Sequence, residues 1–333
     1  MVGAMKIKRE LIPIQKIISV ACRDFMAFRG LHNFEFQDGI NTIVGGSASG
    51  KTSLITVMIQ CLSTERSRHW TKVWNPYISE KPSLLEMKFI ADDKMHYIRR
   101  VMENDNTTDL HLYIGEGKNR LFYRDGEVIE YLGKLKPVFV VDHLEAQRSD
   151  FFYWTRGKTA QINPMFTKSK HLIERLNSHL PLINNSISNI EIEGRDVYCR
   201  YKDGSKVHLA ALSLGNTKLI FVLGKLFNIL TRIDEDDLSK VILIDEIEMG
   251  FDRSTLKKMN EVFNKLAEDY DCQFMITSRF RNGRRNPIRL NRTRVPRYYN
   301  LDLNNSQKRK YIFKNPPFTT KTISSWGSSK WKP

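Results

Sequence analysis

An α/β fold, with a mixed central sheet and an added antiparallel β subdomain, is predicted by three observations. In "VGGSASGKTS" (44–53) a glycine-rich loop stands between a strand-like run and a helix-like run. "VILID" (241–245) is apolar without alternation, as expected of a strand buried on both faces. Between the two, β/α alternation gives way to a long excursion and then resumes, which implies one split domain.

Taken in order, "IISVAC" (17–22), "HNFEF" (32–36) and "NTIV" (41–44) read as strands, the last running straight into the glycines, and 51–62 as a helix. Residues 83–131 hold four short strand-like runs, "LLEMKFIA", "MHYIRRVM", "LHLYIG" and "RLFYR", separated by turn clusters at 92–93, 104–106 and 115–117. They read as an antiparallel sheet layered on the core. A buried strand follows at 137–141, then a helix over 170–180 stopped by Pro181. Strands are expected at 187–193, 196–201 and 206–212, a helix over 214–231, the strand 241–245, an amphipathic helix over 254–270 and a buried strand at 272–278. Apolar heptads never persist beyond a few turns, so no long coiled coil is inserted. The segments are an N-terminal lobe over 1–142, a connecting segment over 143–210, a C-terminal lobe over 211–278, a basic arm and hairpin over 279–314 and a flexible tail over 315–333.

Across 333 residues, 41% hydrophobic and 27% charged content is that of a globular chain. Lys and Arg number 53 against 37 acids, a formal +16 that favours an anionic partner. Cys22, Cys61, Cys199 and Cys272 form no CxxC pair and read as buried thiols in a reducing compartment. The eight histidines are scattered, and no metal cluster can be argued from them. Gln15, Lys16 and Arg23 interrupt the first apolar run, and Lys225 breaks "LIFVLGKLFNIL", short of the roughly 20 apolar residues that span a bilayer. A soluble, cytoplasmic chain with no membrane partner is the expectation.

The glycine loop fits GxxxxGK[ST] through Gly45, Gly50, Lys51 and Thr52, in the strand-to-helix setting that motif requires. Backbone N–H groups across Gly46, Ser47, Ala48, Ser49 and Gly50, with the helix start at Lys51 to Ser53, would hold nucleotide phosphates. Lys51 would reach the β- and γ-phosphates and the Thr52 hydroxyl would ligate magnesium. Three glycines in six residues would otherwise be a needless entropic cost. The run 241–245 delivers Asp245 and Glu246 to a strand's C-terminal end, where α/β folds place ligands. Asp245 fits a magnesium-holding carboxylate, and Glu246 a general base for the attacking water. In "ALSLGNTKLIFVLGKL", Ser213 suits a helix N-cap and Gly215 a close backbone approach.

The order of these three segments carries a family resemblance. "LSLG" resembles the LSxG signature of ABC-type ATPases, and "DFMAFRGLHNFEFQDGINTIVGGSASGKTSLI" is similar to the opening of the SMC, RecF and OLD-like branch. "VILIDEIEMGFD" resembles that branch's closing lobe, so the similarity covers about 16–62 and 183–278. It implies a P-loop NTPase with ABC-ATPase head architecture that uses ATP and Mg2+ and is sandwiched with a second copy of itself. Ser213 and Gly215 would then act in trans on the nucleotide of the other copy. It also implies a basic residue near the nucleotide at Arg29, and a magnesium-linking side chain, with Gln147 a candidate and Asp142 its rival. Where related chains have a γ-phosphate-sensing histidine this one has Ser278 and Arg279, and Asn216 stands where Glu or Gln is common.

From Arg279 to Arg297 the sequence holds eight arginines and no acid: Arg279, Arg281, Arg284, Arg285, Arg289, Arg292, Arg294 and Arg297. Such a block neutralises phosphates, and arginine's planar fork suits them. "RYYNLDLNNSQKRKYIF" reads as a hairpin, and the polar tail carries Trp326 and Trp331. The expectation is an ATPase acting on or near DNA, in repair, genome maintenance or defence. The alternatives are a slow ATP switch holding a separate effector such as a nuclease or toxin, and, less favoured, a transporter subunit.

Overall fold

In a computed structural model the chain is described over residues 11–64, 82–103, 106–117, 120–141, 152–154, 160–162, 170–194, 196–235, 238–248, 251–280 and 287–290. Every described residue belongs to one compact unit.

Strand β1 (Ile14–Phe25) pairs antiparallel with β2 (Phe28–Glu35) and, on its other side, with β4 (Ser83–Ala91). With β5 (Lys94–Glu103), β6 (Asn106–Ile114) and β7 (Leu121–Arg124) they form a six-stranded sheet in the order β2-β1-β4-β5-β6-β7. The alternating burial of β4 sends Leu85, Met87, Phe89 and Ala91 inward, as period-2 side chains require. A short helix, α2 (Gly126–Leu132), follows β7 where the sequence reading saw only strands.

The second sheet has the order β16-β3-β15-β14-β8, built from β3 (Ile40–Gly45), β8 (Phe139–Val141), β14 (Val241–Ile244), β15 (Gln273–Ser278) and β16 (Ile288–Leu290). Among the described residues its four pairings are parallel, and the expected α/β fold with an added antiparallel β subdomain is present as this sheet and the six-stranded one. Parallel neighbours need crossovers, and helix α1 (Lys51–Leu62) and helix α5 (Arg253–Asp269) supply covering elements for them. The residues of β14 and β15 are buried throughout, which is why "VILI" shows no alternation.

Alternation persists in β14 as a division of faces. Val241 and Leu243 join a core with α1 and the inner face of the antiparallel sheet, whereas Ile242 and Ile244 join a core with three helices. Those are α3 (Lys170–Ile183), α4 (Leu214–Asp234) and α5. Helix α3 runs two residues past Pro181, because a proline in the last turn forfeits only one hydrogen bond near the end. The small sheet of β11 (Ile187–Glu193), β12 (Asp196–Tyr201) and β13 (Lys206–His208) lies against it. The strand expected over 206–212 stops at His208 and becomes a 3-10 turn at Leu209–Ala211 that leads to Ser213. A further pair, β9 (Phe152–Trp154) and β10 (Ala160–Ile162), is antiparallel.

Helix α5 is fastened at both ends of its argument: Asp252 accepts the Thr255 N–H at 2.8 Å as N-cap, and Leu256, Met259, Val262, Phe263 and Leu266 line its buried face. Phe263 is wholly buried and stacks on Phe274 of β15 at 5.7 Å. Phe263→Ala is expected to cost about 3–5 kcal/mol of stability, read as a lower midpoint in urea unfolding. No described helix is long and apolar enough to cross a membrane.

Candidate nucleotide site

Strand β3 ends at Gly45 and helix α1 starts at Lys51, so residues 46–50 turn at the C-terminal edge of the parallel sheet. Space requires Gly45 and backbone conformation requires Gly50. A Cβ on Gly45 would collide with Ser49 Oγ and stand 2.8 Å from the Leu290 carbonyl, and Gly50 has φ 100°, with Phe28 3.2 Å from where a Cβ would be. Ala48 holds φ 59° without being glycine. At the far end of α1, Arg100 of β5 donates to the Ser63 carbonyl beyond the last turn, a cation at the negative helix terminus.

Lys51 is 5% exposed and donates to the Gly45 and Gly46 carbonyls, both at 2.9 Å. Among the described residues no carboxylate pairs with this buried ammonium, and the buried Ser49 Oγ has no hydrogen-bond partner. A loop with an uncompensated buried cation and an orphaned hydroxyl fits an anion, and the phosphates of a nucleotide are the anion this loop geometry cradles. Magnesium, when held there, would supply positive charge to phosphate oxygens, and Thr52 and Asp245 would hold it.

Thr52 Oγ1 donates to Asp245 Oδ2 at 2.7 Å across 193 residues of sequence. The other carboxylate oxygen accepts the Thr277 hydroxyl. Thr277 Oγ1 in turn accepts the Glu246 N–H at 2.7 Å, so one buried threonine joins the Asp245 carboxylate to the backbone of Glu246. Sequence reasoning missed Thr277, and the available signal was a pair of hydroxyls, Thr277 and Ser278, ending an apolar strand. Glu246 has φ 49°, a left-handed conformation that costs a non-glycine residue on the order of 1 kcal/mol or more. Such strain turns the chain sharply after β14.

Of the other expected residues, Arg29 lies on β2 directly after Phe28, whose ring approaches Gly50. Ser278 ends β15 fully buried, its Oγ accepting the Phe280 N–H at 3.1 Å. Ser213 caps α4 by accepting the Asn216 N–H at 3.4 Å, and among the described residues neither it nor Gly215 bonds to the phosphate loop. Asn216, the departure from the family pattern, turns inward: its Oδ1 accepts from Asn184 at 2.9 Å and its Nδ2 donates to Tyr201 at 3.1 Å. Gln147 and Asp142 lie outside the described residues, as do Arg281, Arg284, Arg285, Arg292, Arg294, Arg297, Trp326 and Trp331. Arg289 is exposed on β16, in register with Val44. Arg279, counted with the nucleic-acid block, is instead tied into the strand end: its N–H donates to Glu248 at 3.0 Å and its Nε lies 3.5 Å from the same oxygen.

Burial lowers the Lys218 pKa to about 8, against the partial opposition of Glu248 and Glu246. Its folded value is below its unfolded value, so charged Lys218 destabilises the fold at neutral pH. Between about pH 8 and the ordinary lysine value of roughly 10.5 the unfolded chain binds the extra proton and this contribution to stability rises with pH. Burial pushes the thiols of Cys61 and Cys272 up to about 12, which acts oppositely over that range. Comparison with Lys218→Met isolates the lysine: the melting temperature of the wild type relative to the variant is expected to rise from pH 7 to pH 10.

Glycine loop, buried lysine, threonine and strand-end acid on a parallel sheet define the P-loop fold of an ABC-type ATPase head. A family profile described as an AAA domain matches residues 19–271, and the chain belongs to that family. Membership of that family implies ATP binding. Its fold is similar to the SMC head domain from Thermotoga maritima, at 14% identity and TM-score 0.52, over 80% of this chain and 89% of that one. It is also similar to an SMC head bound to the C-terminal winged-helix domain of ScpA, at 14% identity and TM-score 0.56, over 80% and 90%. A third similar structure is the Pyrococcus furiosus SMC head with an extended coiled coil bound to the ScpA C-terminal domain, at 12% identity and TM-score 0.52, over 78% and 89%. No curated protein matches the sequence.

Proposed function

We propose that this protein binds and hydrolyses ATP with Mg2+, closes as an ATP-sandwiched homodimer, and acts on or near DNA in the cytoplasm. The observation that carries hydrolysis is the chain of contacts from Thr52 through Asp245 and Thr277 to Glu246, at the same sheet edge as Lys51. On this reading Thr52 and Asp245 would hold the metal, Lys51 would bind the phosphates and Glu246 would act as the base. Ser213 and Gly215, unbonded to the loop of their own chain, support action on the nucleotide of a second copy. The formal charge of +16 and the seven arginines that follow Arg279 in the block support a DNA partner, in repair, genome maintenance or defence.

The test joins ATP turnover with mass in solution, with and without ATP, and with single- and double-stranded DNA at moderate salt. Turnover, an ATP-dependent doubling of mass and DNA binding that weakens as salt rises are the expected results. If neither form of DNA binds or alters the rate, the DNA part is lost. One observation favours a second reading, a slow switch that holds a separate effector: Ser278, at the γ-phosphate-sensing position, is buried with its hydroxyl engaged. Co-purification of a stoichiometric companion would support that reading.

A further inference from the structure

After the end of β14 lies a carboxylate that the chemistry above does not use. Glu248 stands three residues after Asp245, and its side chain is 3% exposed. One of its oxygens accepts the Arg279 N–H and faces Arg279 Nε, while Oε2 has no hydrogen-bond partner among the described residues. Burying a carboxylate is costly, and a half-satisfied one is a poor structural choice when an apolar residue would fit. The outer end of the same guanidinium explains its retention. Arg279 Nη2 lies 4.0 Å from Glu246 Oε1, so one rigid fork spans both acids.

We propose that Arg279 is a positioning residue for ATP hydrolysis: anchored by Glu248, it holds the Glu246 carboxylate at the end of β14. This rests on the reading of Glu246 as the base. The physical need is specific to this site. Glu246 has a left-handed backbone after a sharp turn, which sets the direction of its Cβ, and its Oε1 lies 4.0 Å from Arg279 Nη2. A base must keep one oxygen within hydrogen-bond reach of the attacking water, and small misplacements lose large factors in rate. With its backbone N–H bonded to Glu248 and its Nε 3.5 Å from the same oxygen, Arg279 is biased toward the conformer that faces Glu246. The arrangement also separates Arg279 from the downstream arginines: two carboxylates already face its donors.

The full-length chain with ATP, and a fluorescent ATP analogue for direct binding, tests this. Arg279→Ala is expected to lower kcat about tenfold while analogue affinity stays within about twofold. Arg279→Lys keeps the charge but cannot span both acids, so it is expected to recover only part of the rate. Glu248→Gln is expected to lower kcat severalfold, and the double variant to be no slower than Arg279→Ala, since both act through one contact. A wild-type kcat in Arg279→Ala, a loss confined to nucleotide affinity, or additive losses in the double variant would each overturn the proposal. Arg279 is 43% exposed at its side chain, so its variants remain informative should Glu248→Gln fold poorly. Glu246→Gln separates the two readings. An inactive Glu246→Gln beside a normal Arg279→Ala removes only the positioning role. Full turnover in Glu246→Gln, or none in the wild type, removes the base assignment and this inference with it.

Discussion

Glu246→Gln is expected to slow ATP turnover by about 10²- to 10³-fold while ATP still binds, within the range that a lost general base accounts for. The amide matches the carboxylate in size, so the strained turn at φ 49° is kept, and the backbone N–H still donates to Thr277 Oγ1. What changes is basicity. The amide cannot take a proton from water at neutral pH, and one negative charge facing the phosphates is removed, which leaves nucleotide affinity equal or higher. An ATP-bound state that is entered but not left accumulates, so the variant is expected to run as a stable dimer with ATP and Mg2+ where the wild type re-equilibrates. Initial rates and mass in solution check both halves. A variant that turns over ATP at the normal rate removes Glu246 from the mechanism.

The loop and both strand-end acids were legible in the sequence because their determinants are local. Gly45 and Gly50 answer to steric limits set within a few residues, and "VILID" is apolar because β14 is covered on both faces. Non-local pairing was less legible. Strands were expected at 17–22 and 32–36, yet nothing in their composition says that β1 runs to Phe25 and pairs with β4 some sixty residues away, joining the antiparallel sheet. Thr277 was invisible for the same reason: its relay depends on β14 and β15 lying side by side, which register decides and propensity does not. Arg279 was read by its neighbours in sequence, a run of arginines, when its neighbours in space are two glutamates. Asn216, read as a gap in a contact, proved to be a hydrogen-bonded link between α4, Asn184 and Tyr201.

Lys51→Ala is expected to weaken ATP binding by at least about 10²-fold and to take turnover to background, in line with the 2–5 kcal/mol that truncating one partner of a buried charge pair typically costs. The same change has a different sign of consequence without nucleotide. The unliganded fold holds this ammonium against two carbonyls and no described carboxylate, an unfavourable site for a cation, so its removal trades two hydrogen bonds for relief of a desolvated charge. Stability without ATP is therefore expected to change by about 1 kcal/mol or less, while stabilisation by ATP vanishes. In the wild type that stabilisation reaches about 2.7 kcal/mol at ATP one hundred times Kd. Thermal unfolding with and without ATP and Mg2+ separates the two cases: a variant that melts like the unliganded wild type but no longer responds to ATP identifies Lys51 as a ligand-binding residue. A variant that melts far lower in both conditions identifies it as a structural one. Lys51→Arg sharpens the test, because it preserves the charge but puts a planar guanidinium where the loop carbonyls at 2.9 Å fit a compact ammonium. It is expected to lose ATP stabilisation as the alanine variant does, which would show that the loop selects for shape as well as charge.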